Sequence, residues 1–149
     1  MSELTLAQLK SLLFYDPITG FFGWVARNSK FASRRKPGQK AGFINSSGYV
    51  EIEVLGKRYL AHRLAWFYVT GTWPENTIDH INFVRCDNRW ENLQDIAQSE
   101  NSSQKSEKKL SPAEHRKIGK KHYKRKKSGF STYGKLQDPA NPKYKRHYV

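Results

Sequence analysis

Residues 78–101 read IDHINFVRCDNRWENLQDIAQSEN. Apolar Ile78 leads into the pair Asp79-His80, a polar loop runs on to Asn92-Leu93, and the segment beyond reads as a helix containing Asn101. Taken alone, His80 would more often be a packed or surface histidine. Together, Asp79, His80, Asn92 and Asn101 form a constellation. Neighbouring side chains of a strand point to opposite faces, so Asp79 and His80 reach one point only where the strand bends or ends.

Upstream, Thr5 and Gln8 have capping-box spacing, and Leu6, Leu9, Leu12 and Leu13 recur on one helical face. The run Asp16-Pro17-Ile18-Thr19-Gly20 is expected to end that helix as a turn, and Phe21, Phe22, Trp24 and Val25 suggest a strand after it. Residues 28–40 read as a loop, in which Arg34, Arg35 and Lys36 either touch phosphate or are simply solvated. Val50, Ile52 and Val54 alternate with Glu51 and Glu53, and Leu55-Gly56 turns the chain back through Arg58-Tyr59-Leu60 as a hairpin. Leu64, Ala65, Phe67, Tyr68 and Val69 form the apolar surface of a short helix closed by Gly71. His62 on that helix reads as a packed structural residue, and Arg63 as at most a phosphate contact.

The chain has 149 residues, enough for one domain and an extension, and its formal charge is +14. That charge is uneven: residues 1–104 carry 12 basic and 10 acidic side chains, residues 105–149 carry 15 and 3. A polyanion is the partner to test, and the tail is where it would bind. Ser111, Pro112 and Glu114 open a helix expected to run to about Lys127, with Lys117, Lys120, Lys121 and Lys124 on neighbouring turns. Apart from Ile118 and Tyr123 it offers little to bury, so it is expected to be partly disordered until it meets DNA. It also lacks the apolar face that an interfacial membrane helix needs. The single cysteine, Cys86, excludes an internal disulfide and a multi-cysteine zinc site, and fits a reducing setting. Met1 to Leu13 is not patterned as a signal peptide, and no apolar run approaches membrane-spanning length.

The motifs D-H-I-N, D-N-R-x-E-N-L and Q-S-E-N resemble the HNH (His-Me finger) endonucleases of the homing type, encoded by phages and mobile introns. Upstream, Y-D-P-I-T-G-F-F-G-W at 15–24, S-S-G-Y-V at 46–50 and A-H-R-L-A-W-F-Y at 61–68 extend the resemblance to roughly residues 4–104. It implies a ββα-metal core in which two short strands enclose a long loop and the following helix supplies a ligand. It implies His80 near the end of the first strand as general base, Asp79 and Asn101 as ligands of Mg²⁺ or another divalent cation such as Mn²⁺, and Asn92 as a brace of the loop. Phosphodiester hydrolysis needs a deprotonated water, a cation on the phosphate and a stabilised leaving oxygen, and these residue types supply them. Arg89 is expected to contact DNA beside the tail lysines, while Trp90 and Leu93 are expected in the core. Where many relatives have glycine after D-H-I-N, this chain has Phe83, for which a positive φ is costly.

The expectation is therefore an α+β protein: an N-terminal helix and hairpin region over 1–60, a ββα-metal core over 61–107, and a basic DNA-binding extension over 108–149. It would act as a monomer in the cytoplasm, that of a bacterial host if phage-encoded, and would nick DNA. The rival is a non-catalytic nucleic-acid-binding protein on an HNH-like scaffold.

Overall fold

The computed structural model describes residues 3–25, 37–97 and 110–125, with the side chains of 122–125 outside the description. Helix α1 (Leu6–Leu12) opens with the Thr5–Gln8 capping box and buries Leu9. Strands β1 (Leu13–Asp16) and β2 (Phe21–Trp24) then pair antiparallel, Leu13 against Trp24 through Asp16 against Phe21. This corrects the reading of 16–20 as the end of the helix. The chain already turns extended at Leu13, because Leu13, Phe14 and Tyr15 all find buried places in the hairpin, and Asp16–Gly20 is the hairpin's turn. The Asp16 carboxylate organises it, accepting from the Ile18 N–H at 3.0 Å and from the Thr19 hydroxyl.

Strands β3 (Phe43–Ile44), β4 (Val50–Val54) and β5 (Lys57–Leu60) form an antiparallel meander. The alternation in β4 is observed: Val50, Ile52 and Val54 are buried, Glu53 is exposed. Helix α2 (Ala61–Thr70) follows β5 directly and ends at Gly71, whose left-handed backbone lets its N–H reach the Phe67 carbonyl. Its buried face, Ala61, Leu64, Ala65 and Phe67, joins Leu9, Leu13, Phe22, Ile52 and Val54 in one core. Trp73, just beyond, stacks on Phe67 with ring centroids 4.3 Å apart.

Strands β6 (Thr77–His80) and β7 (Leu93–Ile96) pair antiparallel, His80 opposite Leu93 and Asp79 opposite Gln94. They enclose the loop 81–92. Ile78 and Leu93 seat this hairpin in the core.

Helix α3 (Pro112–Arg125) starts at the Ser111–Glu114 capping pair, in which the Glu114 N–H and the Ser111 hydroxyl and N–H take part. The expectation that it has little to bury is corrected. His115 is 7% exposed, and Gly119 packs so tightly that a Cβ there would meet Ile44 at 3.3 Å and Cys86 at 3.6 Å. Small size and an imidazole, neither of which marks an apolar stripe, make the docking face. The outer face carries exposed Lys117, Lys120 and Lys121; the Lys124 side chain lies outside the described residues.

Candidate active site

The strand carrying Asp79 and His80 ends at His80, where the backbone turns with the Phe83 N–H donating to the His80 carbonyl at 2.8 Å. His80 shares its sheet face with Ile78 and is 4% exposed, while Asp79 lies on the other face and is half-buried. The Asp79 carboxylate has one long contact among the described residues, 3.5 Å from Gln94 Nε2. Its remaining lone pairs are unengaged there, which suits a hard oxygen donor.

The His80 ring is held on one nitrogen. Nε2 stands 3.0 Å from Asn88 Oδ1, whereas Nδ1 has no hydrogen bond to a described residue and is not among the sealed-off buried nitrogens without a partner. Burial pulls the His80 pKa below the usual imidazole range, against the opposing influence of the Asn88 hydrogen bond and of Asp79 and Asp87. The ring is therefore neutral at physiological pH, with a lone pair able to accept a proton.

The loop between the strands is braced from within and from outside. Asn92 Oδ1 accepts from the Asn82 N–H at 2.9 Å, and its Nδ2 donates to Asn82 Oδ1 at 3.0 Å and to the Asp87 carbonyl at 2.8 Å. Phe83 sits at φ +59°, the left-handed conformation that a glycine would adopt freely; for L-residues this costs about 1–2 kcal/mol. Asn82 supports the turn on either side of Phe83, its Oδ1 accepting from the Val84 N–H at 2.9 Å and its Nδ2 donating to Asp87 Oδ2 at 2.7 Å.

Arg89, expected at the DNA, is engaged by carboxylates within the loop: Nη2 meets Asp87 Oδ2 at 2.8 Å and Nη1 meets Glu91 Oε1 at 2.7 Å. Burial of Asp87 raises its pKa, but hydrogen bonds from Arg89 and Asn82 outweigh this and hold the carboxyl below its ordinary value. Arg85 reaches out of the loop, donating to the Ser47 carbonyl at 2.9 Å and lying over the Tyr49 ring. The Cys86 thiol, pushed up to about 11 mainly by burial, is an inert anchor under α3.

Two buried residues received no role, or only a structural one, from the sequence. Asn88, 2% exposed, is the direct partner of His80; its place in D-N-R marks it as a loop residue but not which way it faces. His62 on α2 lies edge-on to His80, ring centroids 5.0 Å apart, with Nδ1 buried and unpartnered among the described residues. Burial, then the neighbouring His80, lower its pKa to about 3. This depression has a consequence for stability. At pH above 6.5 both folded and unfolded forms hold a neutral His62; as pH falls from there toward 3 the unfolded chain takes the proton first. Stability should decline by roughly 1.4 kcal/mol per pH unit, about 2–3 kcal/mol by pH 4.5. His62→Phe should flatten that decline in urea midpoints compared at pH 7.5 and 4.5, with a residual slope from His80, whose pKa is shifted the same way. A slope unchanged by the substitution would mean that His62 is not held neutral.

Asn101, and with it the expected helical ligand, lies outside the described residues, as do Arg34, Arg35 and Lys36. Among the described residues no group of three or more His, Cys, Asp or Glu side chains is arranged to hold a metal, and no helix is long and apolar enough to cross a membrane. Residues 59–103 match the model of a family described as HNH endonuclease, a span that contains α2, both strands of the site and the loop. No curated protein and no solved structure matches the chain.

Proposed function

From an HNH endonuclease segment at residues 59–103, we propose that the chain is a divalent-metal-dependent DNA endonuclease that nicks duplex DNA as a monomer. His80 is the general base, and Asp79 and Asn101 are the metal ligands. The observation that carries this reading is the placing of His80: at the end of β6, with Nε2 3.0 Å from Asn88 Oδ1 and Nδ1 without a hydrogen bond to a described residue. In the reaction a water oxygen attacks phosphorus, its proton passes to His80 Nδ1, and the bond from phosphorus to the 3′-oxygen breaks. When bound, Mg²⁺ or Mn²⁺ supplies positive charge to the phosphate and to the departing oxygen. One carboxylate with free lone pairs and one amide oxygen make a sparse oxygen site. That fits a cation that retains several waters and takes phosphate as a further ligand.

Asn92 braces the loop and so keeps His80 and Asp79 in register. Arg89 braces the same loop through Asp87 and Glu91, and its partly exposed guanidinium joins Lys117, Lys120, Lys121 and Lys124 of α3 as a DNA contact. Support for that assignment comes from the docking of α3, which packs on β3 at Ile44 and runs close enough to the loop that a Cβ added at Gly119 would stand 3.6 Å from Cys86. Asp79→Ala and Asn101→Ala should each lower the nicking rate and shift the Mg²⁺ titration to higher concentrations. An Asn101 variant with unchanged rate and metal curve would move the second ligand elsewhere.

A further inference from the structure

Asn88 lies in the interior of the protein, eight residues from His80, with its side-chain oxygen 3.0 Å from His80 Nε2. An amide oxygen only accepts, so the proton between them belongs to Nε2, and in the neutral ring Nδ1 then carries the lone pair. Asn88 is in turn held from outside the loop. Its backbone carbonyl accepts from the Tyr15 hydroxyl of β1 at 2.6 Å, and the Trp90 N–H donates to the Pro17 carbonyl at 3.0 Å. The turn of the β1–β2 hairpin lies directly on the Asn88–Arg89 peptide. At Gly20 a Cβ would stand 2.5 Å from the Asn88 carbonyl carbon, so only a residue without one allows this approach. Tyr15, Pro17 and Gly20 all precede the segment that matches the HNH family.

We propose that Asn88 is a positioning residue that keeps His80 in its Nε2–H tautomer, and that the N-terminal β1–β2 hairpin is the element that positions Asn88. The hairpin is then part of what makes His80 a base at Nδ1, and is not only a support for the core. This rests on the nuclease reading for its effect on rate, but the tautomer itself can be read without any reaction.

The test uses the full chain with ¹⁵N-labelled histidine, as wild type, Asn88→Asp, Asn88→Leu and Tyr15→Phe. Long-range ¹H–¹⁵N spectra at pH 7.5 should show His80 of the wild type protonated at Nε2 and bare at Nδ1. Asn88→Asp retains an acceptor and should keep that signature, with kcat for nicking within about tenfold of wild type. Asn88→Leu should give mixed tautomers and lower kcat by about 10²-fold, with KM changed no more than a few fold. Tyr15→Phe removes one hydroxyl and should lower kcat several-fold while leaving the protein folded. Should Asn88→Leu fail to fold, the wild-type tautomer and the Tyr15→Phe rate decide. A wild-type ring protonated at Nδ1, an Asn88→Leu protein with unchanged tautomer and kcat, or equal losses in the Asp and Leu variants would each overturn the assignment. If the wild type cuts no DNA, the nuclease reading fails, and the spectra alone still establish or overturn the role of Asn88.

Discussion

His80→Ala is expected to lower DNA nicking by about 10² to 10⁴-fold, the range that a general base contributes. The structure adds a second expectation. His80 is buried against His62 and Tyr49 and satisfies Asn88 Oδ1, so its removal leaves a small void and an orphaned acceptor. Together these should cost about 1–3 kcal/mol of stability. Melting curves recorded beside the kinetics separate the two effects, since a destabilisation of that size leaves most molecules folded at 25 °C. The DNA affinity of the variant should stay near that of the wild type, because the proposed phosphate contacts belong to α3 and Arg89. Cleavage within a few fold of wild type would remove His80 from the role.

The second large effect concerns the outer face of α3. Lys117, Lys120 and Lys121 are exposed on a helix whose other side is fixed to the core by His115 and Gly119. Replacing all three by alanine should therefore change charge without undocking the helix. If each contacts one phosphate, the slope of log affinity against log salt becomes shallower by about 2.7. Referred to molar salt, where such contacts contribute little, this is roughly a 10³-fold loss of affinity at 50 mM salt and roughly 10²-fold at 0.2 M. Binding measured across that range, with Ca²⁺ in place of Mg²⁺ to limit cleavage, provides the check. A loss uniform over DNA sequences identifies phosphate contacts, whereas a change in preference implicates base or shape readout. Unchanged affinity and slope would place the DNA anchor elsewhere, with Arg34, Arg35 and Lys36 the next to test.

Elements whose signal is local were legible in the sequence. Gly71 closes α2 where its composition says it should, and the alternation of Val50, Ile52 and Val54 with Glu51 and Glu53 is the burial pattern of β4. Leu13 satisfies two periods at once, the last apolar position of a helix face and the first of a buried strand, and pairing with Trp24 decides between them. Asp16–Gly20 changed meaning for the same reason, from a helix stop to a hairpin turn. The docking of α3 was hidden differently. It depends on His115 meeting Gly48 and on Gly119 meeting Ile44, contacts between distant segments made by residue types that carry no hydrophobic signal.

The site divides along the same line. The adjacency of Asp79 and His80 can be seen in the sequence, and so can the spacing to Asn92. That Asn88 faces the ring, and that Tyr15 holds Asn88 from 73 residues away, follow only once the β6–β7 register and the N-terminal hairpin are placed. Phe83, for which a positive φ is costly, stands at such a φ in the structure, with Asn82 supporting the turn on both sides.

Supercoiled plasmid DNA, incubated with wild type and with His80→Ala, each with Mg²⁺ and with chelator, tests metal-dependent hydrolysis at His80. Nicked circles are expected from the wild type only when Mg²⁺ is present, and from the variant at a rate lower by at least about 10²-fold. Intact plasmid in every lane, with DNA still bound by the folded wild type, would contradict hydrolysis at His80 and leave a non-catalytic nucleic-acid-binding protein on an HNH-like scaffold.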